Sequence, residues 1–239
     1  MRQIHRSVVL TTLAITLITS LTFSDQEHLA DGGDPEVSYD GLFRLEKSEM
    51  DEAYIRPDID LSGYSKIMID PVPVSYKRKP RPPAASMRAS GSSSNFALTD
   101  QQMERLTDLF HATFAEAMAK NQGWEVVESP GPEVLRIEAK LIDLVIKVPT
   151  RATTGTSHFF LTEIGEVTLV AEIRDSESRE ILGRVIDRSL IKPAGTGYLT
   201  YTNEVSAWAD VRRLFDIWAD LIRQGLDQIR DISGNRAGG

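Results

Sequence analysis

The sequence predicts an α+β fold, a two-layer sandwich in which two long helices cover one face of a mainly antiparallel sheet. Apolar residues recur at helical spacing over residues 99–121 and 204–231, and they alternate with polar residues between 134 and 190. The polar turn DSESR at 175–179 separates two alternating runs, which indicates a hairpin. The predicted order of elements is β-α-β-β-β-β-α.

The first strand is predicted within SKIMIDPVPVSY, residues 65–76, where Ile67 and Ile69 supply apolar side chains. Pro71 and Pro73 have no amide hydrogen to donate to a neighbouring strand, so we expect this segment at an edge of the sheet.

The first helix begins at a capping box formed by Thr99 and Gln102. Asn121 and Gly123 are expected to end it, because both residue types adopt the left-handed conformation readily. Its apolar stripe consists of Met103, Leu106, Phe110, Phe114 and Ala117.

Strands are then predicted at 124–127, from Val134 onwards, at 167–173 and at 180–190. The alternation that starts at Val134 changes phase after Leu141, which predicts either a bulge near that residue or burial of both strand faces.

The chain closes with an amphipathic helix predicted over 204–231. We interpret its apolar stripe as the face that packs on the sheet, with a membrane or partner surface as the alternative. The stripe consists of Trp208, Val211, Phe215, Trp218, Ile222 and Ile229.

Residues 1–24 have the layout of a secretory signal, because two arginines precede an uncharged apolar run that ends before Asp25. Thr22 and Ser24 are small residues at the positions that a signal peptidase requires, so cleavage is predicted between Ser24 and Asp25. An uncleaved anchor is the alternative.

The amino-acid composition excludes several classes of function. Residues 1–24 hold two of the 27 basic residues and none of the 35 acidic ones, so their removal moves the net charge from −8 to −10. Such an acidic protein is not a general nucleic-acid binder. The absence of cysteine excludes disulfides, thiolate metal sites, a cysteine nucleophile and acylation through a cysteine.

After the signal, the sequence predicts a single domain over residues 41–232. We expect a flexible spacer at 25–40, an irregular Pro/Ser-rich insertion at about 77–98 and a disordered tail at 233–239.

No motif for catalysis or for a cofactor is present. The nucleophile elbow, the P-loop and the dinucleotide-binding glycine pattern are absent, so we predict a protein that is not an enzyme and has no cofactor or metal. DIDLSG at 58–63 is similar to the start of a calcium loop, but Ile69 occupies the position of the bidentate glutamate, and a turn is the better interpretation.

Three segments carry a family resemblance: DGLFRLEKSEMDEAYIRPDIDLSGYSKIMIDPVPV at 40–74, LRIEAKLIDLVIKV at 135–148 and GEVTLVAEIRDSESREILGRVIDR at 165–188. They resemble the family catalogued as domain of unknown function 3313, a group of Gram-negative envelope lipoproteins. The resemblance covers roughly residues 40–230. It implies a sandwich fold and a periplasm-facing accessory role, and it offers no catalytic residues. The chain departs from the family in lacking the lipidated cysteine.

The leading hypothesis is a non-enzymatic envelope accessory protein, located in the periplasm and peripheral to a membrane. It would bind an envelope protein partner or a lipid-associated assembly, or form a homo-oligomer, with membrane lipid as a peripheral contact. One alternative is a small hydrolase that uses the Ser/Thr-rich loop at 150–163, and another is a carrier with an apolar pocket between sheet and helices.

The predicted contact surface lies in two loops, TRATTGTSHFFLTE at 150–163 and KPAGTGYLTYTNE at 192–204. Because the hairpin strands are neighbours, we expect the two loops to lie close together. Their aromatic residues would anchor a partner among adaptable polar residues, or else pack into the core. These aromatic residues are Phe159, Phe160, Tyr198 and Tyr201.

Overall fold

The computed structural model describes residues 36–79, 96–146, 159–161, 163–194, 200–202 and 204–237. The predicted signal, with its cleavage site between Ser24 and Asp25, lies outside these residues.

The strands are β1 (Phe43–Arg44), β2 (Glu52–Ile55), β3 (Lys66–Ile69), β4 (Val74–Tyr76), β5 (Glu125–Val126), β6 (Val134–Ile146), β7 (Phe159–Leu161), β8 (Gly165–Asp175), β9 (Ile181–Ile191) and β10 (Thr200–Thr202). The helices are α1 (Asp100–Ala119) and α2 (Glu204–Ala237), and a 3-10 turn, Lys120–Gln122, follows α1.

Eight of the described strands form one sheet, in the order β1-β2-β9-β8-β6-β3-β5, with β4 paired to β6 beyond the end of β3. β3 and β4 run parallel to β6, and β5 runs parallel to β3. The pairs β1–β2, β2–β9, β9–β8 and β8–β6 are antiparallel. β7 and β10 form a separate two-stranded ribbon. The predicted α+β class with a mainly antiparallel sheet is confirmed.

The edge position predicted for residues 65–76 is wrong for β3 and correct for β4. β3 lies between β6 and β5, because Lys66 and Ile67 also pair with β5, whereas β4 pairs with β6 alone among the described strands. Pro71 and Pro73 are instead in the connection between β3 and β4, where their missing amide hydrogens cost the sheet nothing. The prolines therefore divide the predicted strand in two, and only its second part, β4, lies at an edge.

The predicted bulge in β6 is present, just after Leu141. The register with β8 shifts between Ile142 and Val145, and Asp143 adopts a φ of 55° there. Just beyond the bulge, Gly165 pairs with Ile146, and a Cβ on Gly165 would clash with the backbone oxygen of Val145. The close approach of the two strands there requires a glycine at this position.

Helix α1 begins and ends as predicted. The Thr99 hydroxyl accepts the Gln102 amide hydrogen at 3.2 Å, and the Gln102 side-chain oxygen accepts the Thr99 amide hydrogen at 3.0 Å. Asn121, just beyond the last helical turn, has a φ of 57°, so it ends the helix as expected. Gly123 has a φ of −68° and does not take the left-handed conformation expected for it. The capping box is thus a reliable local signal for this helix.

Helix α2 packs on the sheet, which confirms the interpretation of its apolar stripe. Phe215 and Trp218 are buried. The helix continues to Ala237, so residues 233–237 are helical and not part of a disordered tail. Ser233 is buried in this extension, where its hydroxyl accepts the Leu61 amide hydrogen at 3.2 Å.

One core joins both helices to one face of the sheet. The Phe110 ring from α1 stacks on Phe114 at 4.1 Å and meets Phe215 from α2 edge-on at 5.3 Å. Alternate residues of β6 and β8, such as Ile137 and Leu169, supply the opposite layer. The two helices therefore cover the same face of the sheet, as predicted.

Candidate binding surface

The structure brings together the backbones of the two predicted contact loops where it describes them. β7 and β10 pair antiparallel, and Tyr201 lies directly opposite Phe160, the neighbour of Phe159. Tyr198 lies outside the described residues. The contact role of these four aromatic residues stays a prediction.

The ribbon of β7 and β10 adjoins a pair of parallel helices, because a single residue separates β10 from α2. Helices α1 and α2 run side by side in the same direction. Arg212 donates to Glu116 at 2.7 Å, and further along both helices Lys120 donates to Asp220 at 3.0 Å. These two pairs join the end of α1 to the middle of α2, and the Arg105–Trp208 contact shows that the first halves of the two helices are neighbours as well.

An open groove of about 840 Å³ lies between these first halves. Val205, in the first turn of α2, is 78% exposed. The Arg105 guanidinium lies 4.6 Å from the centre of the Trp208 ring, a cation–π contact that holds both side chains in the groove. The groove is lined by Thr99, Gln101, Gln102, Glu104, Arg105, Asp108, Leu109, Ala112, Val205, Trp208, Ala209 and Arg212.

The groove combines features that favour protein contacts. It presents an exposed aliphatic side chain, a partly buried tryptophan, an arginine and charges of both signs. Trp and Arg are enriched where interfaces derive most of their binding energy. The sequence indicated Trp208 as part of the apolar stripe, but it gave no reason to place Arg105 beside it, because that pair depends on how α1 packs against α2.

The shifted pKa values on the sheet face opposite the helices follow from ion pairs. Burial raises the pKa of Glu172, but hydrogen bonds from Arg174 and Arg184 outweigh this and lower it. Burial also raises the pKa of Asp40, but the hydrogen bonds from Ser38 and Arg184 outweigh this and lower it. Carboxylates held ionised by arginines in this way are typical of structural ion pairs.

The calcium-like segment has a structural role. Asp60 accepts the Ser62 amide hydrogen at 2.8 Å, which makes the segment a turn. On β9, the Asp187 carboxylate accepts hydrogen bonds from the Ser189 hydroxyl and from the Trp218 indole, both at 2.7 Å. In the described part of the chain, no group of three or more His, Cys, Asp or Glu side chains could hold a metal ion. Most of the loop considered for a hydrolase, 150–158 and 162, lies outside the described residues.

The chain belongs to the DUF3313 family, proteins of unknown function. The family model matches residues 33–222, most of the chain. The resemblance inferred from the sequence is therefore confirmed. A search of curated proteins finds no match.

Several solved structures show a distant likeness. A PelC dodecamer from Paraburkholderia phytofirmans is 9% identical over 72% of this chain and 94% of its own, with a TM-score of 0.35. A DUF330-family protein from Xanthomonas campestris is 9% identical over 77% and 93%, with a TM-score of 0.38. A putative lipoprotein from Caulobacter crescentus is 16% identical over 52% and 82%, with a TM-score of 0.27.

Neither helix of the described residues is both long and apolar enough to cross a membrane.

Proposed function

We propose that the protein is an exported, non-enzymatic accessory protein of the Gram-negative cell envelope that acts by binding a partner protein in the periplasm. The partner would dock at one end of the domain, formed by the β7–β10 ribbon and by the groove that residues 99–112 and 205–212 line. We call this region the docking end. The observation that carries the proposal is the groove itself, with Val205 exposed beside the Arg105–Trp208 contact.

The charges of the groove favour a protein over an anionic membrane surface. Glu104 and Asp108 line it together with Arg105 and Arg212, so positive and negative side chains are interspersed with apolar ones. A surface that binds anionic lipid is instead dominated by Lys and Arg. The net charge of −10 expected after signal removal points in the same direction.

Site-specific crosslinking in the native envelope tests the proposal. A photoreactive phenylalanine analogue at position 205 should capture the partner, because this side chain lies at the mouth of the groove. Ile217 provides the matched control, since it is also an exposed aliphatic residue of α2, 52% exposed, but does not line the groove. We expect a discrete crosslinked product from position 205 and none from position 217.

The identity of the product decides between the alternatives. A product with a second protein supports the proposal, whereas a product of twice the mass of this chain indicates a homo-oligomer and a lipid adduct indicates membrane contact. Equal capture from both positions, or capture from neither, would remove the docking end as the binding surface. A Val205→Asp variant that keeps its thermal stability and loses capture would confirm the role of this side chain.

A further inference from the structure

A second concave surface lies at the other half of α2, away from the docking end. It is a cleft of about 300 Å³ between α2, strands β2 and β9, and the segment of residues 45–50. Leu182 from β9, Leu221 and Ile229 from α2, and Leu45 and Met50 from the segment form its walls. The walls are thus apolar on three sides.

A glycine keeps this cleft open. Gly225 is in the middle of α2, where glycine costs roughly 0.5–1 kcal/mol relative to alanine. A Cβ on Gly225 would meet nothing within 4 Å, so no neighbouring atom requires the missing side chain. Gly225 lines the cleft, and any larger residue would project into it. The open space in front of Gly225 belongs to the cleft, because Gly225 is one of the residues that line it.

The exposed polar residues of the cleft lie at its rim and carry one charge of each sign. They are Lys47, Ser48, Glu49, Gln224 and Gln228. Arg184 also lines the cleft, but its charged group pairs with Asp40 and Glu172 on the other face of the sheet. The rim therefore suits a polar head without net charge. The volume is at the lower limit of about 300–1,000 Å³ that small-molecule sites occupy, enough for a single alkyl chain.

The geometry points to a binding site for a single-chain amphiphile, with the alkyl chain between α2 and β9 and a zwitterionic head at the rim. This site is separate from the docking end, because the groove is lined by residues 205–212 of α2 and the cleft by residues 221–229.

Binding of lauroyl lysophosphatidylcholine to the purified mature chain, measured by native mass spectrometry and by calorimetry, tests the inference. Gly225→Trp should fill the cleft and weaken binding by about tenfold or more, a loss of about 1.4 kcal/mol. Gly234→Trp is the matched control, because Gly234 is also in α2 and an added Cβ there would meet nothing within 4 Å, yet it does not line the cleft. It should bind as the parent does.

Two further measurements separate the outcomes. Gly225→Ala should keep or raise the melting midpoint, since alanine favours the helix. If Gly225→Trp does not fold, Gly225→Leu is used in its place. Glycerophosphocholine, which lacks the chain, should not bind. Unchanged affinity in the Gly225→Trp or Gly225→Leu variant, or equal binding of the chainless head, would overturn the inference. No Gly225 variant should affect crosslinking at position 205. A negative result for the cleft therefore leaves the proposed function untouched, and a negative crosslinking result leaves the cleft untouched.

Discussion

Trp218→Ala should be among the most destabilising single changes in the described domain. The side chain is 1% exposed, its ring stacks on Phe215 at 5.9 Å, and its indole nitrogen donates to Asp187 at 2.7 Å. Removing a buried tryptophan costs about 3–5 kcal/mol. Asp187 would also lose a hydrogen bond, which adds about 1–2 kcal/mol. Ser189 still donates to this carboxylate, so the cost of the lost hydrogen bond should be near the lower end of that range.

We expect the free energy of unfolding to fall by about 4–6 kcal/mol and the Tm by about 10–20 °C, measured by circular dichroism. Trp218→Phe keeps the ring contact and loses the hydrogen bond, so it should cost about 1–3 kcal/mol. Trp208→Ala is the control on the same helix, because Trp208 is only partly buried, and it should cost about 1–2 kcal/mol. A Trp218→Ala protein as stable as the parent that fails to bind its partner would show that the stripe is an interface and not core.

Three other outcomes are expected. The pKa of Glu172 is lowered in the folded protein, so its ion pair with Arg184 stabilises the fold above the unfolded pKa of about 4.5. This stabilisation is lost as the pH falls through the folded pKa. The Tm of Glu172→Gln should therefore drop less between pH 7 and about pH 3 than the Tm of the parent. Gly165→Ala should cost about 1–3 kcal/mol in urea unfolding because the added Cβ would clash with the Val145 carbonyl oxygen, whereas Gly131→Ala, with its nearest atom at 3.5 Å, should cost much less. Mass spectrometry of periplasmic extract should find an unacylated chain that starts at Asp25, and an intact N-terminus in the membrane pellet would favour the uncleaved anchor.

The elements that the sequence predicts correctly are those with local or periodic signals. The capping box of Thr99 and Gln102 sets the start of α1, and the turn at 175–179 sets the β8–β9 hairpin. The change of phase near Leu141 reflects a real bulge. Such signals depend on neighbours within a few residues, so they can be recognised without the tertiary structure.

The parts of the fold that the sequence does not indicate depend on contacts between residues that are far apart in the sequence. β1 and β2 contain two and four residues, too few for a visible alternation, and β2 exists because Ala53 and Tyr54 pair with β9 far along the chain. The same holds for the groove, where Arg105 and Trp208 meet through helix packing. The sequence also misplaces the end of α2, because the contact of buried Ser233 with Leu61 extends the helix beyond its visible apolar stripe.

The last residues of the predicted spacer, 36–40, are part of the domain on energetic grounds. Arg184 is only 8% exposed on β9, where it bonds Asp40 and Glu172 while its guanidinium lies 5.4 Å from the centre of the Tyr39 ring. A buried charge that loses its partner costs about 3–5 kcal/mol, far more than an exposed ion pair contributes. Residues 36–40, predicted as the end of a flexible spacer, are therefore held to the sheet.

The attachment of residues 36–40 also supports the cleft. Beyond Asp40 the chain continues to Leu45 and Met50, which form one wall of the cleft. The Leu45 amide donates to the Ala53 carbonyl at 2.8 Å, which fixes the near end of that wall to β2. Arg184 holds the chain just before it through Asp40 and lines the cleft as well. Because the wall is anchored on one side by the ion pair and on the other by strand pairing, the shape of the apolar cleft depends on the charged network beside it.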